Sequence, residues 1–462
     1  MPATRLVAKH AWLSDGWHDD VALRIDAEGN LDRVEAGTDA TPDARYLLPG
    51  IPNAHSHAFQ RAMAGLAERR GHPEDSFWSW RKVMYEFASR IDPDALQAIA
   101  AQLYTEMLRA GYTSVCEFHY LHHDRDGRPY TDPAAMSKAL IAAAEETGIG
   151  LTLLPVLYMT GGFDGRPLNE RQRRFGHDVH SYLRLLDALV ALESPQLRVG
   201  VAFHSLRAVP EAAMHEVRSA LEDFGSVRAV HIHIAEQIGE VQDSLAVRDA
   251  RPVEWLLDHL PVDFRWTLVH ATHMTAEETR RVAESSATVA LCPTTEANLG
   301  DGLFPLRAYI DAGGLWSIGS DSHVSVSPVE ELRWLEYGQR LTSGHRNVAA
   351  SEALPSVGET LFSHALAGGG RSAGRSIGWF EGAEPDRGIA GTRADLLVLD
   401  EAAVELAARD TGNLVDTWLF SGNRNLVRDV MVGGKWRVRA GEHVDAARIA
   451  ERYRRTVAGL SS

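Results

Sequence analysis

Two cysteines in 462 residues, Cys116 and Cys292, are too few and too far apart for a disulfide framework or a thiolate metal motif. Both lie within apolar runs, which makes buried free thiols in a reducing compartment the expectation. No apolar stretch reaches the roughly 18 residues that span a bilayer, and residues 1–30 mix charges with short apolar runs instead of forming a secretory core. Positive charge is also short: 47 Lys and Arg stand against 63 Asp and Glu, a net charge of -16, and no basic run interrupts that field. Nucleic acid and anionic membrane are thereby excluded as main partners, and a cytoplasmic enzyme fits best.

What remains is an ordinary soluble composition, 45% hydrophobic, in a chain long enough for one large domain and a smaller one. Short alternating segments such as Val21-Ala-Leu-Arg-Ile25, broken by turns like Ala27-Glu-Gly-Asn30, give residues 5–45 a β-hairpin texture. The texture returns in Ala394–Asp400 and in Val427–Arg439, where Gly433-Gly434 marks a tight turn. Residues 1–47 and 388–444 are therefore expected to share one small β-sandwich domain. A helix over 445–462 should pack outside it.

Between them, over residues 48–387, apolar strand-like runs alternate with amphipathic helical stretches. The runs are Leu47–Pro52, Thr113–Phe118, Gly150–Leu157, Arg198–Phe203, Ala229–Ile234, Trp266–Val269, Ala287–Leu291 and Leu315–Ile318. Helical periodicity marks Asp92–Ala110, Pro133–Thr147, His180–Leu192, Pro210–Phe224 and Thr275–Glu284. Eight strands alternating with helices predict an α/β fold, a (β/α)8 TIM-like barrel.

Chemistry in such a barrel gathers at the C-terminal ends of the strands. Polar residues stand there in this chain: His55 and His57 after the first run, Glu117, His119 and Tyr120 after the second, and His204 and Arg207 after the fourth. The fifth carries His231, His233 and Glu236, the sixth His270 and His273, and the eighth Asp321 and His323. Alternate strand residues share a face, so His55 and His57 project together. With His233 and Asp321 they form an imidazole and carboxylate set that suits zinc, with iron or manganese weaker fits. His231 lies deeper and reads as a barrel-filling residue. A water on such an ion has a pKa near about 7. The four lysines, at 9, 82, 138 and 435, include none at the end of the third or fourth strand, so no carboxylated lysine can bridge a second ion. One metal ion is expected.

The motifs His55-Ser-His57, His233-Ile-Ala-Glu236, His270 and Ser320-Asp321, with the composite β-domain, resemble the amidohydrolase superfamily and within it the mononuclear zinc deaminases. The likeness covers nearly the whole chain. Asn53–Arg61, Phe77–Arg81, Glu117–His123, Phe203–Arg207 and Pro293–Gly302 are similar to the members that act on N-formimino-L-glutamate. The resemblance implies hydrolysis of that compound to N-formyl-L-glutamate and ammonia, in histidine degradation.

On that reading Asp321 and the metal activate water, Glu236 carries protons to the departing nitrogen, and His270 orients the water or stabilises charge. A substrate with two carboxylates needs cations, and the resemblance lifts Arg207 and Arg81 into that role, with Gln60, Tyr120 and His204 adding hydrogen bonds. Trp78 and Trp80 should wall the pocket or pack its loop. His119, His122, His123, His273 and His323 receive no role. A homodimer is expected. The rival readings are a zinc deaminase of a purine or other heterocycle and, in another class, an inactive barrel serving as a binding module.

Overall fold

The apolar run that begins at Leu47 does not stay in one sheet. In the computed structural model, which describes residues 4–68, 77–222, 228–376 and 391–461, strand Ala44–Pro49 pairs outward and strand Ile51–Ser56 pairs into a parallel barrel. The expected first strand, Leu47–Pro52, therefore straddles the junction between two sheets. His55 lies inside the barrel strand, with His57 one step beyond it.

Eight parallel strands make the barrel in chain order: Ile51–Ser56, Tyr112–His119, Gly150–Leu157, Val201–Ser205, Val230–Ile234, Trp266–His270, Thr288–Leu291 and Leu315–Ile318. The fourth is shorter than the predicted run, because Leu197–Val199 pairs on the third strand as a separate piece before Gly200. Most positions of these strands are buried, as expected where side chains fill the inside and helices cover the outside. Helices such as Pro93–Ala110 follow ordinary rules. Asp92 accepts a hydrogen bond from the Ala95 amide at 2.9 Å, Pro93 opens the first turn, and Gly111 closes the helix in the left-handed region. Phe224, where one predicted helix was to end, lies outside the described residues.

The barrel closes between its last and first strands. Asp321 and Ser56 form an isolated parallel bridge; the Asp321 amide donates to the His55 carbonyl at 3.1 Å, and the His57 amide to the Asp321 carbonyl at 3.2 Å. Gly319 makes this approach feasible, since a Cβ there would lie 2.7 Å from the His55 Cβ. Beside it the Asn53 amide group grips Ser320, donating to Oγ at 2.6 Å and accepting from the backbone amide at 3.2 Å.

The two ends of the chain meet in one eight-stranded sheet. Its order is Glu442–His443, Lys435–Arg439, Val427–Val432, Leu396–Leu399, Ala44–Pro49, Thr4–Leu13, Gly16–Ile25, Leu31–Glu35. The seam is the antiparallel pairing of Leu397 with Leu48. Gly433 and Gly434 make the expected hairpin turn, both at positive φ, +54° and +72°. Helix Ala446–Ser461 follows, tied to the barrel's flank by Arg448 and Arg452 on Glu146, at 2.7 and 2.5 Å. The expected boundary at 387 and 388 lies outside the described residues. Among those described, no helix is long and apolar enough to cross a membrane.

Candidate metal centre and active site

Three imidazoles from two strands converge at the barrel's C-terminal mouth. The Nε2 atoms of His55, His57 and His233 lie 3.1 to 3.3 Å from one another. His57 Nδ1 donates to the Phe118 carbonyl at 2.8 Å and His233 Nδ1 to the His204 carbonyl at 3.0 Å. Those bonds place the ring protons on Nδ1, which leaves the Nε2 lone pairs facing a common point. Lone pairs gathered so tightly repel unless a cation sits among them. Burial holds all three rings below the ordinary histidine range, so they remain neutral donors. The Asp321 Oδ1 lies 3.5 Å from His55 Nε2 and 3.3 Å from His57 Nε2, which brings a carboxylate against the cluster. Three imidazole nitrogens and a carboxylate fit a divalent transition metal and not a cation that requires oxygen alone.

Asp321 offers its second face to His270. His270 Nε2 is 3.9 Å from Asp321 Oδ2 and 3.8 Å from Glu236 Oε1, and its Nδ1 is 3.2 Å from Glu296 Oε1. Burial works against the charged ring, but Glu236, Glu296 and Asp321 together outweigh it and lift the pKa to about 10. Burial also raises the Glu236 carboxyl, a shift that His270 opposes. The backbone is strained along this rim: Ala235, His270, Ala271, Asp321 and His323 all have positive φ, between +42° and +69°. Each non-glycine residue held there costs on the order of 1–3 kcal/mol, and such residues cluster where side chains must be aimed.

A cavity of about 650 Å³, counting its open mouth, rises over the cluster. Every residue expected to read substrate lines it: Gln60, Arg81, Tyr120, His204 and Arg207. Gln60 Nε2 donates to the Tyr120 hydroxyl at 3.0 Å, and Arg81 Nη2 to the Tyr158 hydroxyl at 3.1 Å. Burial alone would lower the Arg207 guanidinium, yet Tyr158 and Glu240 hold it above its ordinary value. Trp80 lines the cavity as expected; the Trp78 side chain lies outside the described residues. His231 turns away, its Nε2 donating to the Ser372 carbonyl at 2.8 Å.

Four contributors carry no signal in the sequence strong enough to mark them. Tyr85 lies in helix Phe77–Ala88 beyond the Phe77–Arg81 segment, and Tyr158 follows the third strand, whose end carries no motif. Glu240 follows Glu236 by four residues, one helical turn, and its carboxylate accepts from the Glu236 amide at 3.2 Å; burial pushes it up to about 7. Glu296 lies in a segment picked out only as a whole. Glu117, recognised as a strand-end residue, is a buried brace that accepts from Ser56 Oγ at 2.7 Å and the Ala58 amide at 2.6 Å.

With this fold and this site, the family model described as the amidohydrolase family matches residues 46–357. The chain belongs to the amidohydrolase family, whose members are metal-dependent. A formimidoylglutamate deiminase of Pseudomonas aeruginosa is 49% identical over 452 residues, 97% of each chain. An 8-oxoguanine deaminase of the same species is 27% identical over 436 residues, 90% of this chain and 87% of the other. Among solved structures, an amidohydrolase from Brucella melitensis superposes with a TM-score of 0.91 at 43% identity, covering 99% of this chain and 100% of that one. A zinc-bound adenosine deaminase from Xanthomonas campestris shares the fold, with a TM-score of 0.79 at 22% identity, covering 99% and 98%.

Proposed function

We propose that this protein is a hydrolase of a linear amidine, converting N-formimino-L-glutamate and water to N-formyl-L-glutamate and ammonia in the cytoplasmic breakdown of histidine. The observation that carries the reading is the 49% identity, across 97% of both chains, to a formimidoylglutamate deiminase. The cavity's chemistry supports it, since two guanidinium groups line the same space as the histidine and aspartate cluster.

In this reading His55, His57, His233 and Asp321 hold one divalent metal ion, zinc before iron. Such an ion supplies Lewis acidity that makes water a nucleophile near neutral pH. The chain's own groups do the rest. Arg207 and Arg81 take the two carboxylates, each as a fork of N–H donors, while Gln60, Tyr120 and His204 complete the grip. Asp321 accepts the proton of the attacking water as its oxygen bonds to the formimino carbon. Glu236 delivers a proton to the terminal nitrogen, a task its raised pKa suits, because a carboxyl poised nearer neutrality both takes and gives protons. His270 faces Glu236 and Asp321 and stabilises charge as it builds. Of the two protons of the water, one passes through Asp321 and Glu236 to turn the terminal =NH into an amine, and the other leaves the hydroxyl of the tetrahedral carbon by the same route to turn that amine into ammonia. The bond to the terminal nitrogen breaks, the water oxygen becomes the formyl oxygen, and both carboxyl groups end as they began.

Ammonia release by the pure protein decides the matter. N-formimino-L-glutamate is expected to yield it and guanine or adenosine derivatives to yield none. Release from a purine alone would install the heterocycle reading, and release from none of them the binding-module reading. A homodimer belongs to the same proposal, checked by light scattering of the purified protein.

A further inference from the structure

We propose that Glu296 is a positioning residue for this reaction, acting through His270; the proposal rests on the reading of His270 as a charge-stabilising group. Glu296 lies in the short helix Pro293–Leu299, which follows the seventh barrel strand. Three consecutive side chains there bind three different elements. Thr294 Oγ1 donates to Glu331 Oε1 at 2.6 Å, fixing the helix to Pro328–Ser343. The Thr295 hydroxyl lies 2.9 Å from Ser322 Oγ and accepts from the Ser322 amide at 3.2 Å, steadying the turn that carries Asp321. Glu296 Oε1 accepts from His270 Nδ1 at 3.2 Å and from the Cys292 amide at 2.9 Å.

The last pair of bonds matters most. A carboxylate held by a backbone amide at the end of the seventh barrel strand accepts a hydrogen bond from the ring of a histidine at the end of the sixth. The ring is then held in one orientation, with Nδ1–H on Glu296 and Nε2 turned toward Glu236 and Asp321. His270 sits at φ +69°, outside regular strand geometry, so the strand itself does not dictate where its ring points. Glu296 is buried, at 4% exposure, and water has little access to replace it.

The test uses E296A and E296Q, both purified with their metal content measured. In protein labelled with 15N-histidine, the Nδ1–H resonance of His270 is identified by its absence from His270→Asn. It should vanish in E296A and shift upfield in E296Q, where a neutral amide oxygen accepts more weakly than a carboxylate. With N-formimino-L-glutamate, kcat should fall about 10- to 100-fold in E296A, the range typical of partners that orient site histidines, with KM and metal content little changed. E296Q should recover most of that loss. A resonance that persists in E296A or stays unmoved in E296Q overturns the proposal, as does an E296Q whose kcat falls as far as that of E296A. The resonance is read without substrate, so it decides the role of Glu296 even if the substrate assignment is wrong, and should E296A not fold, the E296Q shift decides it.

Discussion

Two clusters of buried histidines lie near one another in this barrel and only one is built for chemistry. In the first, His55, His57 and His233 bring three Nε2 atoms within 3.1 to 3.3 Å, and Asp321 closes on them. In the second, His119, His122, His123 and His177 pack as rings, with centroids between 4.5 and 6.3 Å apart. Their polar bonds go to carbonyls and a hydroxyl: His122 Nε2 donates to the Val156 carbonyl at 3.0 Å, His123 Nε2 to the Gly176 carbonyl at 2.6 Å, and His177 Nδ1 lies 3.1 Å from Ser181 Oγ. Burial keeps both clusters neutral. What separates them is convergence of lone pairs upon one point, together with a carboxylate, and not the number of histidines.

The comparison breaks most visibly in metal content. His55→Ala should lose the metal and all deiminase activity, whereas His122→Gln should keep one equivalent by mass spectrometry of the bound metal and a near-native kcat. A His122→Gln protein without metal would show that the second cluster is no mere packing unit. Next in size is the division within the first cluster's surroundings. Glu236→Gln should lower kcat by about 10²- to 10⁴-fold, the usual worth of a proton-transfer group, with the metal retained. Arg207→Ala should instead raise KM about 10- to 100-fold, since a hydrogen bond to a charged group is worth about 1.5–3 kcal/mol, again with the metal retained. Metal lost from that variant would place Arg207 in the wrong role.

The smallest effect concerns acid. Burial lowers His119 and His177 to about 3 in the folded protein. The unfolded chain takes up those protons below about 6.5 and the folded one does not, so stability is full above that pH and falls as pH drops toward 3. At pH 5 each ring removes about 2 kcal/mol. Urea unfolding of the metal-loaded protein at pH 7 and pH 5 should therefore show a smaller acid loss in His177→Gln than in the parent. Equal losses would mean that His177 does not stay neutral.

Much of this was legible in the chain because barrel chemistry has a fixed address. Histidines and acids at the ends of six of the eight apolar runs indicated His55, His57, His233 and Asp321, and all four meet in space. The first strand's bounds were misjudged because Leu47, Leu48 and Ile51 are equally apolar while belonging to different sheets. Apolarity reports burial, not the partner. His119, His122 and His123 received no role from the sequence, and what holds them was not legible there, since spacing along a chain does not reveal which ring nitrogen faces a carbonyl. Glu240 and Glu296 went unnoticed for a similar reason: each works through a bond to a backbone amide or a neighbouring side chain, and no pattern of residue types records such a bond.

The bridge between Ser56 and Asp321 also sets the order of events during synthesis. Asn53 and Ser320 are 267 residues apart, so Asp321 leaves the ribosome long after His55 and His57, and after His233 as well. Until the eighth strand arrives, the nascent chain carries three histidines with no carboxylate and an open seam beside them. Long-range closure of this kind is slow and leaves strand edges unpaired in the interim. Barrel closure and completion of the proposed ligand set would then be a single step, and an ion captured early would be held by imidazole alone until the seam shuts.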